Sequence, residues 1–294
     1  MEAELAGSTA PGRPPEIEEI ANRLWVHPAS KGLVDLLVQT ALTPNQVSAA
    51  GVFAAAGAAV SFATLRLPWA PIVGLGWLFV WHVLDGADGD LARRTKRTSP
   101  TGELIDGVCD HVSQALIYVS LAFVLQRSLG GWAWVIATAA ALSHTLQANA
   151  YEAGRKTYRH WVYGAVWMRQ RPDLSRSWAG IANRLYLNLA SLFSPNERVV
   201  EIAMSRQFSL GPAAMAAART QYRTRAVRLV KYSGVLGSTG RSLAIVASLF
   251  VGSPLWFFLY EILILNAVVV GFIWWRRRVN NAVGHALGGF GAEL

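Results

Sequence analysis

The sequence contains a single cysteine, Cys109, in 294 residues. That excludes a disulfide framework and any metal centre built on thiolates. Cys109 follows Val108 on a face away from the neighbouring acidic residues and reads as an inert core thiol. Charge is also scarce: 15% of the residues are Asp, Glu, Lys or Arg, against 53% hydrophobic. Such scarcity, with repeated long apolar runs, argues against a soluble enzyme and for a chain that crosses a bilayer several times. Residues 1–22 hold no apolar core, so no cleavable signal peptide is expected. No internal repeat is evident. The net charge of +9 then reads as the positive-inside bias of a membrane protein, and no nucleic-acid partner is expected.

The apolar runs predict spans near 44–64, 70–92, 103–125, 131–153, 239–253 and 254–275. The expected fold is all-α and integral to the membrane, a six-transmembrane-helix bundle. The connections around Arg66, Arg127 and Ser253 are short and almost uncharged, while the other connections and both termini carry nearly all of the 27 Lys and Arg. The positive-inside rule therefore puts both termini and the 94–101 connection in the cytoplasm. The fifth span is the shortest. Its clean run is Leu243 to Val251, and Arg241 either snorkels to the interface or lies on a helix projecting from about Arg228.

Residues 1–16 read as a disordered N-terminus, and 17–42 as an interfacial, juxtamembrane amphipathic helix with a stripe of Leu24, Trp25, Leu33, Leu36 and Leu37, broken at Pro28. The membrane domain is expected over 43–281, with a basic cytoplasmic insertion at 154–238 and a tail at 282–294. In the insertion, basic residues from Arg155 to Lys231 are interleaved with Tyr158, Trp161, Tyr163, Trp167, Trp178 and Tyr186. Helical patterns at 178–193 and 212–232 suggest helices lying on an anionic membrane surface. Thr43-Pro44-Asn45-Gln46 is a capping-box pattern that opens the first span.

Within this apolar background, carboxylates recur at helical spacing. Asp85 and Asp88 (i, i+3) share one helix face and Asp106 and Asp110 (i, i+4) share another, with a hairpin connection between the helices. A carboxylate in or near lipid is costly and marks a functional site by default. Four that converge on one point would repel one another without cations. Hard oxygen ligands at this density suit Mg²⁺, Mn²⁺ or Ca²⁺. On the fourth span, His144, Gln147 and Tyr151 form a polar stripe that Arg155 extends. That stripe is expected to face the carboxylates. Arg155, Arg159 and Arg241 are candidates for binding a phosphate. Glu261 and Asn266 need partners but suggest no chemistry.

The stretch from Asp85 to Asp110 resembles the signature of the CDP-alcohol phosphatidyltransferase family, D-x2-D-G-x2-A-R-x8-G-x3-D-x3-D. It matches at Asp85, Asp88, Gly89, Ala92, Arg93, Gly102, Asp106 and Asp110. The resemblance implies two divalent cations, Mg²⁺ or Mn²⁺, held by the four aspartates. It also implies a bound CDP surrounded by Gly89, Ala92, Arg93 and Gly102, and Asp110 as general base. Thr43-Pro44-Asn45 resembles the family's pattern beside the nucleotide pocket, which implies a nucleotide contact for Asn45. Asp90 lies outside the pattern and is expected to be dispensable.

The implied reaction is attack of an acceptor hydroxyl on the β-phosphorus of a CDP-alcohol, with release of CMP, in phospholipid biosynthesis. The donor favoured is CDP-diacylglycerol. The basic residues at 155–159 and Arg241 favour a phosphorylated polyol acceptor, glycerol phosphate or inositol phosphate. The alternative is a CDP-linked small alcohol as donor to a lipid acceptor. A cytosolic nucleotide substrate places the site on the cytoplasmic face of a bacterial inner membrane, and the resemblance adds homodimerisation. An intramembrane prenyltransferase also binds metal-diphosphate with aspartates, but usually through two separated Asp-rich motifs. A cation transporter would account for the aspartates but not for Gly89, Ala92, Arg93 and Gly102.

Overall fold

A computed structural model describes residues 14–64, 67–165 and 196–288. Every regular element among the described residues is helical, and none is a strand. Most of the expected disordered N-terminus, the helical pattern at 178–193 and the aromatics Trp167, Trp178 and Tyr186 lie outside the described residues.

The chain is helical from residue 20, through a π turn at Asn22–Val26 into α1 (His27–Leu37). The break expected at Pro28 does not occur. The wider turn immediately before the proline makes room for its ring, and Pro28 sits in the first turn of α1, where its missing N–H costs little. The stripe also divides: Leu33 and Leu37 are half-buried against the buried Val34, while Leu24, Trp25 and Leu36 are exposed. The Ser30 hydroxyl donates to the Val83 carbonyl at 2.9 Å.

Then follow α2 (Pro44–Ala63), α3 (Ala70–Arg94), α4 (Pro100–Leu129), α5 (Trp132–Tyr163), α6 (Glu197–Ser209), α7 (Pro212–Tyr232) and α8 (Ser238–Phe250). The last helical run is α9 (Leu255–Leu259), a π turn at Tyr260–Leu265, and α10 (Asn266–Ala286). The capping box at α2 forms as expected. The Thr43 N–H donates to Gln46 Oε1 at 2.8 Å, and the Gln46 N–H returns to Thr43 Oγ1.

Among the described residues, four helical stretches are long and apolar enough to cross a bilayer: Pro44–Ala63, Ala70–Arg94, Thr101–Leu129 and Leu255–Ala286. Two of the six expected spans fall short, for different reasons. α8 has 13 residues, about 20 Å at ~1.5 Å per residue, against a hydrocarbon core of about 30 Å. α5 is 32 residues long, but His144, Gln147, Asn149, Glu152 and Arg155 make its second half polar.

The chain divides into two compact units. The first comprises Glu19–His144 and Ser238–Ile264, and the second comprises Met1–Glu18, Thr145–Gly237 and Leu265–Leu294. In the first, α2 packs along both α3 and α4. Its small residues Ala54, Ala55 and Ala58 join Phe62, Leu78, Leu121 and Phe258 in the core. The α2–α3 contact is fitted reciprocally. A Cβ on Gly57 would lie 2.7 Å from the Trp77 ring, and one on Gly74 would lie 2.2 Å from the Phe62 ring. Small residues thus admit large rings and let the helices approach closely, the packing that apolar solvent rewards.

In the second unit, Tyr158, Val200, Met204, Tyr222, Leu229 and Val283 are core residues of α5, α6, α7 and α10. Ile17 is buried with them, and Glu16 accepts hydrogen bonds from the Tyr163 hydroxyl at 2.5 Å and the Tyr158 hydroxyl at 3.3 Å, with Arg223 Nη2 at 2.9 Å.

Candidate active site

The site is built on two helices and the turn between them. α3 carries Asp85, Asp88, Gly89, Ala92 and Arg93 in its last three turns, and α4 carries Gly102, Asp106 and Asp110 in its first three. The connection is the tight link that the spacing predicts. Lys96 takes a left-handed conformation with φ 55°, and the Arg97 N–H returns to the Ala92 carbonyl at 2.9 Å. Ser99 then caps α4, its Oγ accepting the Gly102 N–H at 3.0 Å. The first turn of α4 is therefore anchored beside the last turn of α3.

Helical periodicity brings Asp85, Asp106 and Asp110 together, with one ligand oxygen of each within 4.8 Å of the others. Asp88 is 5% exposed. It accepts a 2.5 Å hydrogen bond from the Ser48 hydroxyl of α2 and lies within hydrogen-bonding reach of the Asp106 carboxylate. Asp106 thus belongs to both arrangements. Two carboxylates in mutual hydrogen-bonding reach must share a proton or a cation. The donor set is entirely hard oxygen, so the residues fit Mg²⁺ or Mn²⁺.

On the Asp88 side a cavity of about 190 Å³ opens. Asp88, Asp106, Glu103 and Ser48 form one part of its lining, and Pro44, Asn45, Gly89, Ala92, Arg93, Gly102 and the 97–99 turn form the rest. Carboxylates and arginines therefore meet across one space, at the N-terminal end of α4, where the helix dipole favours an anion. Gly102 is constrained by closeness. A Cβ there would stand 3.2 Å from Ser99 Oγ and 3.7 Å from Asn45 Oδ1. A Cβ on Gly89 would meet Arg93 Nη1 at 3.5 Å, so the guanidinium folds back over that glycine. Arg93 pairs with Asp90 one turn earlier.

Ser48, Arg97, Thr98 and Ser99 line this cavity without having been singled out in the sequence. Ser99 had a local signal, since a Ser-Pro opening followed by Gly at the third helical position is a cap pattern. Ser48 had none, because its partner Asp88 is forty residues away.

The other candidates stand elsewhere. Arg241, in the same unit as the aspartates, is 5% exposed, and its Nε donates to Glu261 Oε1 at 2.9 Å. His144 Nδ1 is 3.8 Å from the same oxygen. Arg241 and His144 border a second, smaller cavity of about 30 Å³ whose wall includes Leu78, Trp81, Ile117 and Phe257. Nearby, His82 Nε2 hydrogen-bonds Ser242 Oγ at 2.9 Å. In the second unit, Gln147 is fully buried and donates to Asn266 Oδ1 at 2.9 Å. Arg155 pairs with Glu152 at 2.6 Å and lies 5.2 Å above the Tyr151 ring. Arg159 follows one turn later on α5, half-buried. Glu261 and Asn266 thus each accept a hydrogen bond from a buried side chain.

Comparison with known proteins agrees with the motif. The family model for CDP-alcohol phosphatidyltransferase matches residues 41–193, just over half of the chain. Cholinephosphotransferase 1 of Gallus gallus is 33% identical over 109 residues, 35% of this chain and 32% of that protein. A bifunctional IPC transferase and DIPP synthase of Rubrobacter xylanophilus is 33% identical over 132 residues, 44% of this chain and 29% of that protein. Cholinephosphotransferase 1 of Xenopus laevis is 43% identical over 58 residues, 19% and 14% of the two chains. The matched segments therefore span about a third or less of these relatives.

Proposed function

The chain belongs to the CDP-alcohol phosphatidyltransferase family, and from that premise we propose that it transfers a substituted phosphoryl group from a CDP-alcohol to an acceptor hydroxyl, releasing CMP. The observation that carries this reading is the junction at Asp106. A carboxylate cluster suited to divalent cations there adjoins a cavity walled by Arg93, Arg97 and the N-terminus of α4. A diphosphate needs both, with cations for its charge and donors for its remaining oxygens.

In this reading, Asp85, Asp88, Asp106 and Asp110 would hold two divalent cations, Mg²⁺ or Mn²⁺. When bound, these supply Lewis-acid stabilisation of the diphosphate and of the departing phosphate. Asn45, Gly89, Ala92, Arg93 and Gly102 surround the CDP moiety, and Ser48 fixes the Asp88 carboxylate. Asp110 accepts the proton of the acceptor hydroxyl as its oxygen bonds to the β-phosphorus. The bond from that phosphorus to the bridging oxygen breaks, and its electron pair leaves with CMP. Six spans, with α5 and α8 crossing beside the four apolar helices, a juxtamembrane N-terminal helix and a cytoplasmic site in a bacterial inner membrane complete the proposal.

CDP-diacylglycerol with a phosphorylated polyol acceptor is the preferred pairing. The cholinephosphotransferase relatives favour a second pairing, a CDP-linked small alcohol with a lipid acceptor. Proteoliposomes supplied with CDP-diacylglycerol and a panel of polyol phosphates, or with CDP-choline and diacylglycerol, separate the two. CMP release in one arm, abolished by chelation of divalent cations, is the expected result. No CMP in either arm from a folded protein, with Mg²⁺ or Mn²⁺ present, would count against the activity.

A further inference from the structure

The second unit carries a surface that the reaction does not use. No Asp or Glu occurs between Glu201 and Glu261, or between Glu261 and Glu293, so α7 and α10 present cations without acidic neighbours along either helix. On α7 the inward face is Ala218, Tyr222, Ala226 and Leu229. The outward face is Arg225, Arg228 and Tyr232 at i, i+3 and i+7. Tyr232 is 59% exposed, and Val235, in the turn after it, is 46% exposed. Charge along the helix thus gives way to an aromatic and an aliphatic side chain at its end.

The level of that end is set by α10. The Tyr232 ring stacks on Trp275 at 6.2 Å between centroids, and Trp275 stacks on Phe272 at 6.1 Å. One residue earlier Trp274 is 56% exposed, and the Arg278 guanidinium covers its ring at 3.5 Å. An exposed tryptophan capped by an arginine, at the end of an apolar run and followed by Arg276, Arg277 and Arg278, is the pattern of a helix leaving the bilayer through the headgroup layer. Stacking on Trp275 holds the C-terminal end of α7 at that same depth. Tyr232 therefore lies beside Trp275, one residue from the exposed Trp274, with Arg228 and Lys231 toward the end of α7 and Arg277 and Arg278 on the turn of α10 that follows.

We propose that this patch is a docking surface for anionic phospholipid headgroups of the surrounding leaflet. It goes beyond the transfer reaction and does not depend on it. Each cation near an anionic surface favours binding by about fivefold, and the rings supply the apolar component.

The test uses the full chain in detergent, incubated with phosphatidylglycerol or phosphatidylcholine at equal mole fraction, with retained lipid counted by native mass spectrometry. The wild type should retain more phosphatidylglycerol, with a preference that falls as salt rises. The R228A/K231A variant, which leaves the Tyr232–Trp275 stack intact, should lose most of that preference while keeping the wild-type melting temperature. Should that variant fail to fold, R228Q/K231Q and the salt series on the wild type carry the same test. Equal retention of the two lipids, a preference indifferent to salt, or an undiminished preference in a folded variant would overturn the proposal. A further arm adds inorganic phosphate. Displacement of phosphatidylglycerol at matched ionic strength would assign the patch to free phosphate and overturn the lipid assignment as well.

Discussion

Two groups of charged side chains lie within the same helical unit, and they handle burial in opposite ways. Around Glu261, a carboxylate that is fully buried meets Arg241 at 2.9 Å, with His144 at 3.8 Å, beside a cavity of about 30 Å³ walled by Leu78, Trp81 and Phe257. Around Asp106, carboxylates meet carboxylates, and the adjoining cavity is about 190 Å³. The first group brings its counter-charge from within the chain. The second gathers like charges beside a larger space, an arrangement suited to cations and a diphosphate from outside. Burial of charge is costly in both places, yet only the second has the form of a site.

The largest effect that separates them is on turnover. Asp110→Asn should lower CMP release by about 10²–10⁴-fold, the range for loss of a general base, while CDP binding measured by equilibrium dialysis stays near wild type. Loss of nucleotide binding in a folded variant would remove Asp110 from the base role. Next comes stability. Arg241→Met leaves Glu261 buried without its guanidinium, which should cost about 3–5 kcal/mol. The Arg241→Met/Glu261→Met double variant should recover most of that. If the single and double variants unfold alike in a chemical melt, the buried pair is not the source of the cost.

A smaller effect is expected at Ser48. Ser48→Ala removes the hydroxyl that holds Asp88 and should raise the divalent-cation concentration needed for half-maximal activity roughly tenfold, corresponding to about 1.5 kcal/mol for one charge-assisted hydrogen bond. An unchanged cation requirement would leave Ser48 a packing residue.

The smallest concerns Glu16 in the second unit. Partial burial pushes its carboxyl up, but the Tyr163 and Tyr158 hydroxyls and Arg223 outweigh that and hold it below the ordinary glutamate value. Its contribution is present above the ordinary carboxylate range and is lost as pH falls through the depressed folded value. Because Arg223 is half-exposed, Glu16→Gln should cost no more than about 1 kcal/mol at neutral pH. The difference from wild type should vanish in acid. A difference that grows in acid would reverse the sign of this account.

What was legible in the sequence follows the range of each interaction. Asp85, Asp106 and Asp110 could be placed together because helical period and a short turn are local facts. The Thr43 cap and the Ser99 opening are local in the same way. Ser48 against Asp88, and Arg241 against Glu261, are joined only by tertiary packing, and no spacing rule brings them into view. Pro28 misled because a proline in a helical pattern signals a break unless the preceding turn widens, and that widening at Asn22–Val26 leaves no mark in composition. The span count rests on α5 and α8, whose polarity and length stop short of what hydropathy alone resolves.

Thermal unfolding of the purified protein, with and without Mn²⁺ and CDP, tests the contrast most directly. The wild type should gain melting temperature on adding both. Asp106→Asn should keep its fold and lose that gain, whereas the Arg241→Met/Glu261→Met variant should retain it. A gain that survives in Asp106→Asn and disappears in the double variant would contradict the assignment of the Asp106 group as the site.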